Sequence, residues 1–176
     1  GCIPEHLRCL TDLLLTAGVP LEIEKDSIFI RGNRGTNSSF QSVSVKTHEY
    51  PGFATDLQAP MTVFLTQTSG ESLVFESIFE GRLAYTEDLR AMGAGISMWN
   101  PHQIVVKGPT SLKGRKLVGP DIRAGLAFLI AALVAEGDSI LENVYHIDRG
   151  YERVDERLRS LGAPVERVIE AVPVTV

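Results

Sequence analysis

The chain has 176 residues, 44% hydrophobic and 22% charged, with 22 acidic against 17 basic side chains and a formal net charge of −5. That size and mixture suit one sizeable core or two small ones and exclude a disordered chain. The acidic balance excludes a nucleic-acid binder held by a general basic field, so an anionic ligand must be gripped by a few placed Arg or Lys side chains.

In chain order, Leu7, Leu10 and Leu14 recur at helical spacing until Gly18, which predicts a first helix. Leu21-Glu22-Ile23 and Ile28-Phe29-Ile30 then alternate around Lys25-Asp26 as a hairpin, and Ser42 to Lys46 alternates as a further strand. An apolar helix opens at Thr55-Asp56-Leu57-Gln58, where Thr55 and Gln58 are spaced as a capping box. Pro60 falls slightly late for an ideal first turn and predicts an irregular start. Gly70 is expected to close this helix, and Leu73 to Ser77 alternates as a half-solvated strand.

The plan then repeats. Glu87 to Met92 ends a helix closed by Gly93, and Ile96 to Trp99 and Gln103 to Val106 flank the turn Asn100-Pro101-His102. Lys113-Gly114-Arg115-Lys116 reads as solvated surface. A second Asp-headed helix runs from Asp121 to Glu136 and is apolar on every face, so protein is expected all around it. Gly137 closes it, and a third copy runs from Arg153 through Leu158 and Leu161 to Gly162, then into a strand from Pro164 to Val168. Gly18, Gly93 and Gly162 lie 75 and 69 residues apart, and Asp56 and Asp121 lie 65 apart, longer than common solenoid periods. About two and a half copies of a threefold plan, with sheets outside and helices inside, follow from these patterns. A two-layer α/β sandwich with one unusually apolar helix stays open as the alternative.

Two carboxylates and two guanidiniums occupy equivalent places in this doubled plan: Asp56 and Asp121 head the helices, and Arg82 and Arg149 each lie twelve residues after Gly70 and Gly137. A helix start favours an ionised carboxylate, and guanidinium is a planar fork for phosphate or carboxylate, so these groups together with Arg123 form a candidate anion site. Arg149 is the leading candidate, since Gly150 behind it lets the backbone approach a ligand. The plainer readings are that the two Asp residues are caps and that Arg149 is a surface ion-pair partner. Glu152, Asp155, Glu156, Arg157 and Arg159 read as a solvated helix face.

Other chemistry finds no support. His6, His48, His102 and His146 are scattered without metal-ligand spacing, and no Gly-x-Gly-x-x-Gly, P-loop or Gly-x-Ser-x-Gly segment occurs, so neither metal nor cofactor is expected. Cys2 and Cys9 are too few for a disulfide framework, which fits a reducing cytoplasm, and Cys9 reads as a packing residue. The longest apolar run, Ala124 to Ala135, is twelve residues, short of the roughly 20 that span a bilayer. No secretory signal opens the chain, and Gly1 suggests that sequence upstream has been removed.

Four ordered motifs carry a resemblance. Tyr50-Pro51-Gly52-Phe53-Ala54-Thr55-Asp56-Leu57-Gln58, Phe79-Glu80-Gly81-Arg82, Asp121-Ile122-Arg123-Ala124 and Tyr145-His146-Ile147-Asp148-Arg149-Gly150-Tyr151-Glu152-Arg153 resemble the C-terminal part of the UDP-N-acetylglucosamine 1-carboxyvinyltransferases, the enolpyruvyl transferases of peptidoglycan synthesis. The resemblance covers nearly the whole chain. It implies an inside-out α/β barrel of three helix-strand-strand repeats, with one repeat incomplete. It also implies a single domain over residues 1–176, a fragment of a two-domain cytoplasmic enzyme. It implies phosphoenolpyruvate and UDP-N-acetylglucosamine as substrates, no cofactor, no metal and no membrane. Asp56 then matches the carboxylate beside the sugar 3-hydroxyl, Ile78 a further contact to the nucleotide sugar, and Arg149 the arginine that meets phosphoenolpyruvate. Arg82, Asp121 and Arg123 match other polar residues of the cleft. The family's catalytic cysteine belongs to the N-terminal domain, and neither Cys2 nor Cys9 matches it. The chain by itself is therefore expected to be inactive, and its uncovered apolar helix faces are expected to favour self-association.

The related 5-enolpyruvylshikimate-3-phosphate synthases carry an Arg-x-Lys-Glu-Ser/Thr-Asp-Arg pattern that Val144 to Arg149 lacks. A non-catalytic ligand-binding or scaffold protein on the same half-fold is the remaining alternative. A native start codon just upstream of Gly1 favours that reading, and an upstream domain with a reactive cysteine favours the transferase.

Overall fold

The computed structural model describes residues 1–32 and 39–168. A short 3-10 turn, Pro4–Leu7, leads into α1 (Arg8–Thr16), and Gly18, at φ +88°, takes the left-handed turn that ends it. The antiparallel hairpin β1 (Leu21–Ile23) and β2 (Ile28–Ile30) follows as expected. Of the strand expected from Ser42, only β3 (Val45–Lys46) forms. A 3-10 turn, Thr55–Leu57, precedes α2 (Gln58–Leu65), so Pro60 sits in the first α-helical turn, where a missing N–H costs no intrahelical bond. Next come β4 (Gly70–Phe75), α3 (Thr86–Ala91), β5 (Gly95–Asn100) and β6 (Gln103–Gly108). Gly70 does not close α2; it begins β4, five residues after Leu65. The last part contains β7 (Lys116–Val118), α4 (Ile122–Val134), β8 (Ile140–Glu142), α5 (Tyr145–Asp148) and α6 (Val154–Ser160).

The strands form three separate sheets: the first hairpin, a four-stranded sheet in the order β3-β4-β6-β5, and a parallel pair of β7 and β8. In the central sheet β3 runs parallel to β4, and β6 is antiparallel to both β4 and β5. Its inner face presents Ser72, Val74, Ile96, Ile104 and Val106, all buried, and α2 lies against it. Helix α2 packs against both this sheet and α4. One connected core runs from Ala17 through Val63, Leu65, Leu89 and Ile104 to Phe128 and Ala131.

Three expectations need correction. The inside-out barrel is not closed among the described residues, because the three sheets do not hydrogen-bond to one another. Helix α4 is not enclosed on all sides. Ala124, Gly125, Ala127, Phe128, Leu129 and Ala131 are buried, but Leu133 and Val134 are exposed in its last turn, so an apolar surface shows where more protein was expected. Finally, residues 164–168 form no strand, for they pair with no neighbour in a ladder, and Arg167 instead folds back onto Asp148 and Asp155.

Candidate functional site

Asp121 opens α4 from an extended backbone (φ −155°), and its Oδ1 accepts from the amides of Arg123 at 2.8 Å and Ala124 at 3.0 Å. One carboxylate oxygen thus satisfies two of the orphan amides of a helix start. The other oxygen, Oδ2, accepts from Arg123 Nη2 at 3.1 Å. Asp56 sits differently. Its 3-10 turn begins after Ala54 with no side-chain cap, and the capping box expected from Thr55 and Gln58 does not form. The Thr55 hydroxyl instead donates to Glu76 Oε2 at 2.7 Å, and Gln58 is buried beside the Tyr85 hydroxyl, 3.1 Å from its Oε1.

Arg82 arrives through the turn after β4, where Gly81 holds φ +71° and buried Leu83 anchors the chain. Its guanidinium lies over the Phe79 ring, 4.0 Å from the centroid. Nη1 donates to Thr55 Oγ1 at 2.9 Å and to Asp56 Oδ1 at 3.0 Å. Arg123 Nε lies 3.9 Å from the same Asp56 oxygen. Asp56, Arg82, Asp121 and Arg123, which are distant in sequence, therefore meet at one place.

A cavity of about 310 Å³ opens beside them, lined by Phe79, Glu80, Arg82, Tyr85, Asp121 and Arg123 among others. The arginines form its walls, with side chains 17% and 20% exposed, whereas the Asp56 carboxylate is 74% exposed and stands in the open. Guanidinium carries five N–H donors, and the bonds of Arg82 all leave from Nη1, so its Nε and Nη2 remain available among the described residues. The arrangement can hold an anion on the arginines while an exposed carboxylate accepts a proton or a hydrogen bond beside it. Burial pushes the Tyr85 phenol well above its usual range, and its neutral hydroxyl is engaged inward with Gln58 and Thr62. Tyr151 is raised too, first by burial and then by the negative charge of Asp56.

Arg149 does not join the other four. It caps the end of α5 and is exposed, its backbone N–H donating to the Ile147 carbonyl and its side chain making no hydrogen bond or ion pair to any described residue. Its neighbour Gly150 lies against Ile122 at the start of α4. A Cβ on Gly150 would stand 2.3 Å from Ile122 Cδ1, so the absence of a side chain here serves close packing. Asp148 pairs with Arg167 at 2.7 Å, which also holds Asp155, so Asp155 is part of an ion-pair cluster and not a solvated face. The hydrogen bond and charge of Arg167 lower the Asp148 carboxyl against the opposing push of burial. The basic cluster at Lys113 and Lys116 is largely exposed, and Glu136 and Glu142 neutralise it.

Ile78 is half-buried, and its N–H donates to Glu76 Oε1 at 2.9 Å. Glu76 itself is the residue that sequence reasoning missed. It is fully buried, and its carboxylate gathers Thr47, Thr55 and the amides of Ile78 and Phe79. The available signal was its phase, because Ser72, Val74 and Glu76 alternate on one buried face. Among the described residues, no group of three or more His, Cys, Asp or Glu could hold a metal ion, and no helix is long and apolar enough to cross a membrane.

A family model described as EPSP synthase (3-phosphoshikimate 1-carboxyvinyltransferase) matches residues 1–158. UDP-N-acetylglucosamine 1-carboxyvinyltransferase of Solibacter usitatus is 40% identical over 95% of this chain and 39% of its own length. UDP-N-acetylglucosamine 1-carboxyvinyltransferase 2 of Listeria monocytogenes is 40% identical over 94% of this chain and 38% of its own. The resemblance carried by the four motifs is thus found over nearly the whole chain, which spans about two fifths of the length of these curated relatives. Among solved structures, the enolpyruvyl transferase NikO from Streptomyces tendae superposes with a TM-score of 0.80 at 26% identity, over 89% of this chain and 35% of that one. EPSP synthase from Acinetobacter baumannii shares the fold with a TM-score of 0.55 at 17% identity, over 76% of this chain and 31% of that one.

Proposed function

The chain belongs to the EPSP synthase family of carboxyvinyltransferases, and on that premise we propose that it supplies one wall of a site that transfers the 1-carboxyvinyl group of phosphoenolpyruvate to the 3-hydroxyl of UDP-N-acetylglucosamine. The observation that carries the reading is the meeting of Asp56 with Arg82 and Arg123, which line one cavity together with Asp121. The names and extent of the 40% identical relatives support this acceptor over shikimate 3-phosphate.

In this reading Asp56 takes the proton of the sugar hydroxyl, whose oxygen bonds to C2 of phosphoenolpyruvate while C3 gains a proton. A tetrahedral adduct results. Loss of a proton from C3 and of phosphate from C2 restores the double bond on the sugar ether. Arg82 and Arg123 face the carboxylate and phosphate charges that move in these steps, where oriented donors in a partly enclosed site act most strongly. Because the Ile78 N–H is taken by Glu76, a ligand contact at Ile78 falls to its carbonyl. Arg149, exposed and with no partner for its side chain among the described residues, is available to meet phosphoenolpyruvate as the site closes.

The chemistry also calls for a proton donor that this cavity lacks. Cys9 lies elsewhere, and burial raises its thiol, making it a poor nucleophile. We assign that group to an N-terminal domain of the relatives' kind, which would also complete the barrel, and the chain alone is expected to be inactive. Exposed Leu133, Val134 and Ile140 are expected to make the isolated chain self-associate. The test mixes the chain with the complementary N-terminal part of the Solibacter usitatus relative and measures phosphate release from phosphoenolpyruvate. Release that requires UDP-N-acetylglucosamine supports the reading; no release, or release only with shikimate 3-phosphate, defeats it.

A further inference from the structure

Glu76 is fully buried at the end of β4 and forms no ion pair with any described Lys, Arg or His. An unpaired buried carboxylate is costly unless hydrogen bonds replace the lost water. Four donors do so: Oε1 accepts from Thr47 Oγ1 at 2.9 Å, Ile78 N at 2.9 Å and Phe79 N at 3.1 Å, and Oε2 accepts from Thr55 Oγ1 at 2.7 Å. Only an ionised carboxylate offers about four acceptor positions and no donor. A glutamine of the same shape would turn an amine toward Thr55.

The Thr55 hydroxyl gives its single proton to Glu76, which leaves its oxygen free to accept from Arg82 Nη1 at 2.9 Å. The same Nη1 holds Asp56 at 3.0 Å. Phe79, whose amide Glu76 also holds, is the ring under the Arg82 guanidinium. Two of the four links, through Thr55 to Arg82 and through Phe79, lead to the cavity. We infer that Glu76 is a positioning residue for the proposed transfer, orienting Arg82 and Asp56 through Thr55 and fixing the Ile78 to Phe79 backbone, an assignment that rests on the transferase reading for its catalytic consequence.

Rotation of the Arg82 guanidinium, followed by nitrogen-15 NMR on the 176-residue chain, tests the relay without any substrate. Glu76→Gln should speed that rotation by about tenfold, as the loss of roughly one hydrogen bond of ordinary strength would. Thr55→Val should do the same, the double variant should be no faster than either, and Thr55→Ser should stay slow. Unchanged Arg82 rotation in Glu76→Gln and Thr55→Val overturns the proposal, as does strict additivity in the double variant. If Glu76→Gln fails to fold, Glu76→Asp takes its place: the shortened carboxylate should lose Thr55 and free Arg82 rotation, and an unchanged rate overturns the proposal. In the mixture with the complementary domain, the same variants should lower kcat by about tenfold and leave KM for the nucleotide sugar within about twofold. A wild-type mixture that releases no phosphate while Arg82 responds as described refutes the transferase reading and supports the relay.

Discussion

Replacing Asp121 separates what this carboxylate does for the fold from what it does for the site. One oxygen caps α4 through two amides, and the other holds Arg123. Asp121→Ala loses both, and removal of a good cap costs about 1 kcal/mol within a range of about 0.5–2. For a chain of this size each kcal/mol moves the melting temperature by about 2–4 °C, so a fall of that order is expected in a thermal melt. Asp121→Asn caps nearly as well as Asp, and its melting temperature should lie within about 1 °C of wild type. Its amide nitrogen cannot accept from Arg123, so phosphate release in the reconstituted mixture should drop although the fold is intact. The Asp121–Arg123 pair is partly exposed and adds little stability of its own. Equal melting temperatures for Asp121→Ala and wild type, or equal losses for the Ala and Asn variants, would refute the division of labour between the two oxygens.

Three further outcomes are expected. Asp56→Asn should abolish phosphate release in the mixture without lowering thermal stability; an unchanged rate removes Asp56 from the role of base. Gly125→Ala puts a methyl 2.9 Å from Ile147 Cγ1, an overpacking worth about 1–3 kcal/mol that helix propensity offsets by about 1, and adding Ile147→Ala should cost less in urea than the two single losses together. Arg167→Gln should flatten the acid limb of the stability curve. Because Arg167 lowers the Asp148 carboxyl from an ordinary 3.8, the stability it lends is present above that value and lost as pH falls through the lower folded one. Urea midpoints at pH 7 and pH 3 that shift equally in both proteins would contradict this.

Local signals carried well where one short segment decides the outcome. The turn glycines Gly18 and Gly93 stand at positive φ where helices end, and the hairpins of β1 with β2 and β5 with β6 lie where alternation and turn residues placed them. Long-range pairing was less legible. Alternation cannot say which strand will be a neighbour, and so residues 164–168 alternate without joining a sheet. The all-apolar pattern of α4 reports that its faces avoid water, yet Leu133 and Val134 show that it does not report what covers them.

The site divides along the same line. Four of the charged residues met as the doubled plan suggested, but the twelve-residue spacing from Gly to Arg did not produce equivalent arginines. Arg82 follows a turn whose Leu83 is pinned in the core and whose Phe79 lies under the guanidinium, so its side chain is drawn inward. Arg149 follows a single helical turn whose one buried anchor, Ile147, packs against Gly125, and among the described residues its side chain has no ring or carboxylate partner of the kind that holds Arg82. Glu76 hides for the opposite reason. Its β-strand phase with Ser72 and Val74 says that it is buried, but the hydroxyls and amides that make burial tolerable come from Thr47, Thr55, Ile78 and Phe79. Periodicity reports which face a residue occupies and carries no record of the donors that converge on it. The most consequential polar group in such a half-site is therefore to be sought where an acidic residue falls in phase with a buried strand face and no cation is in reach.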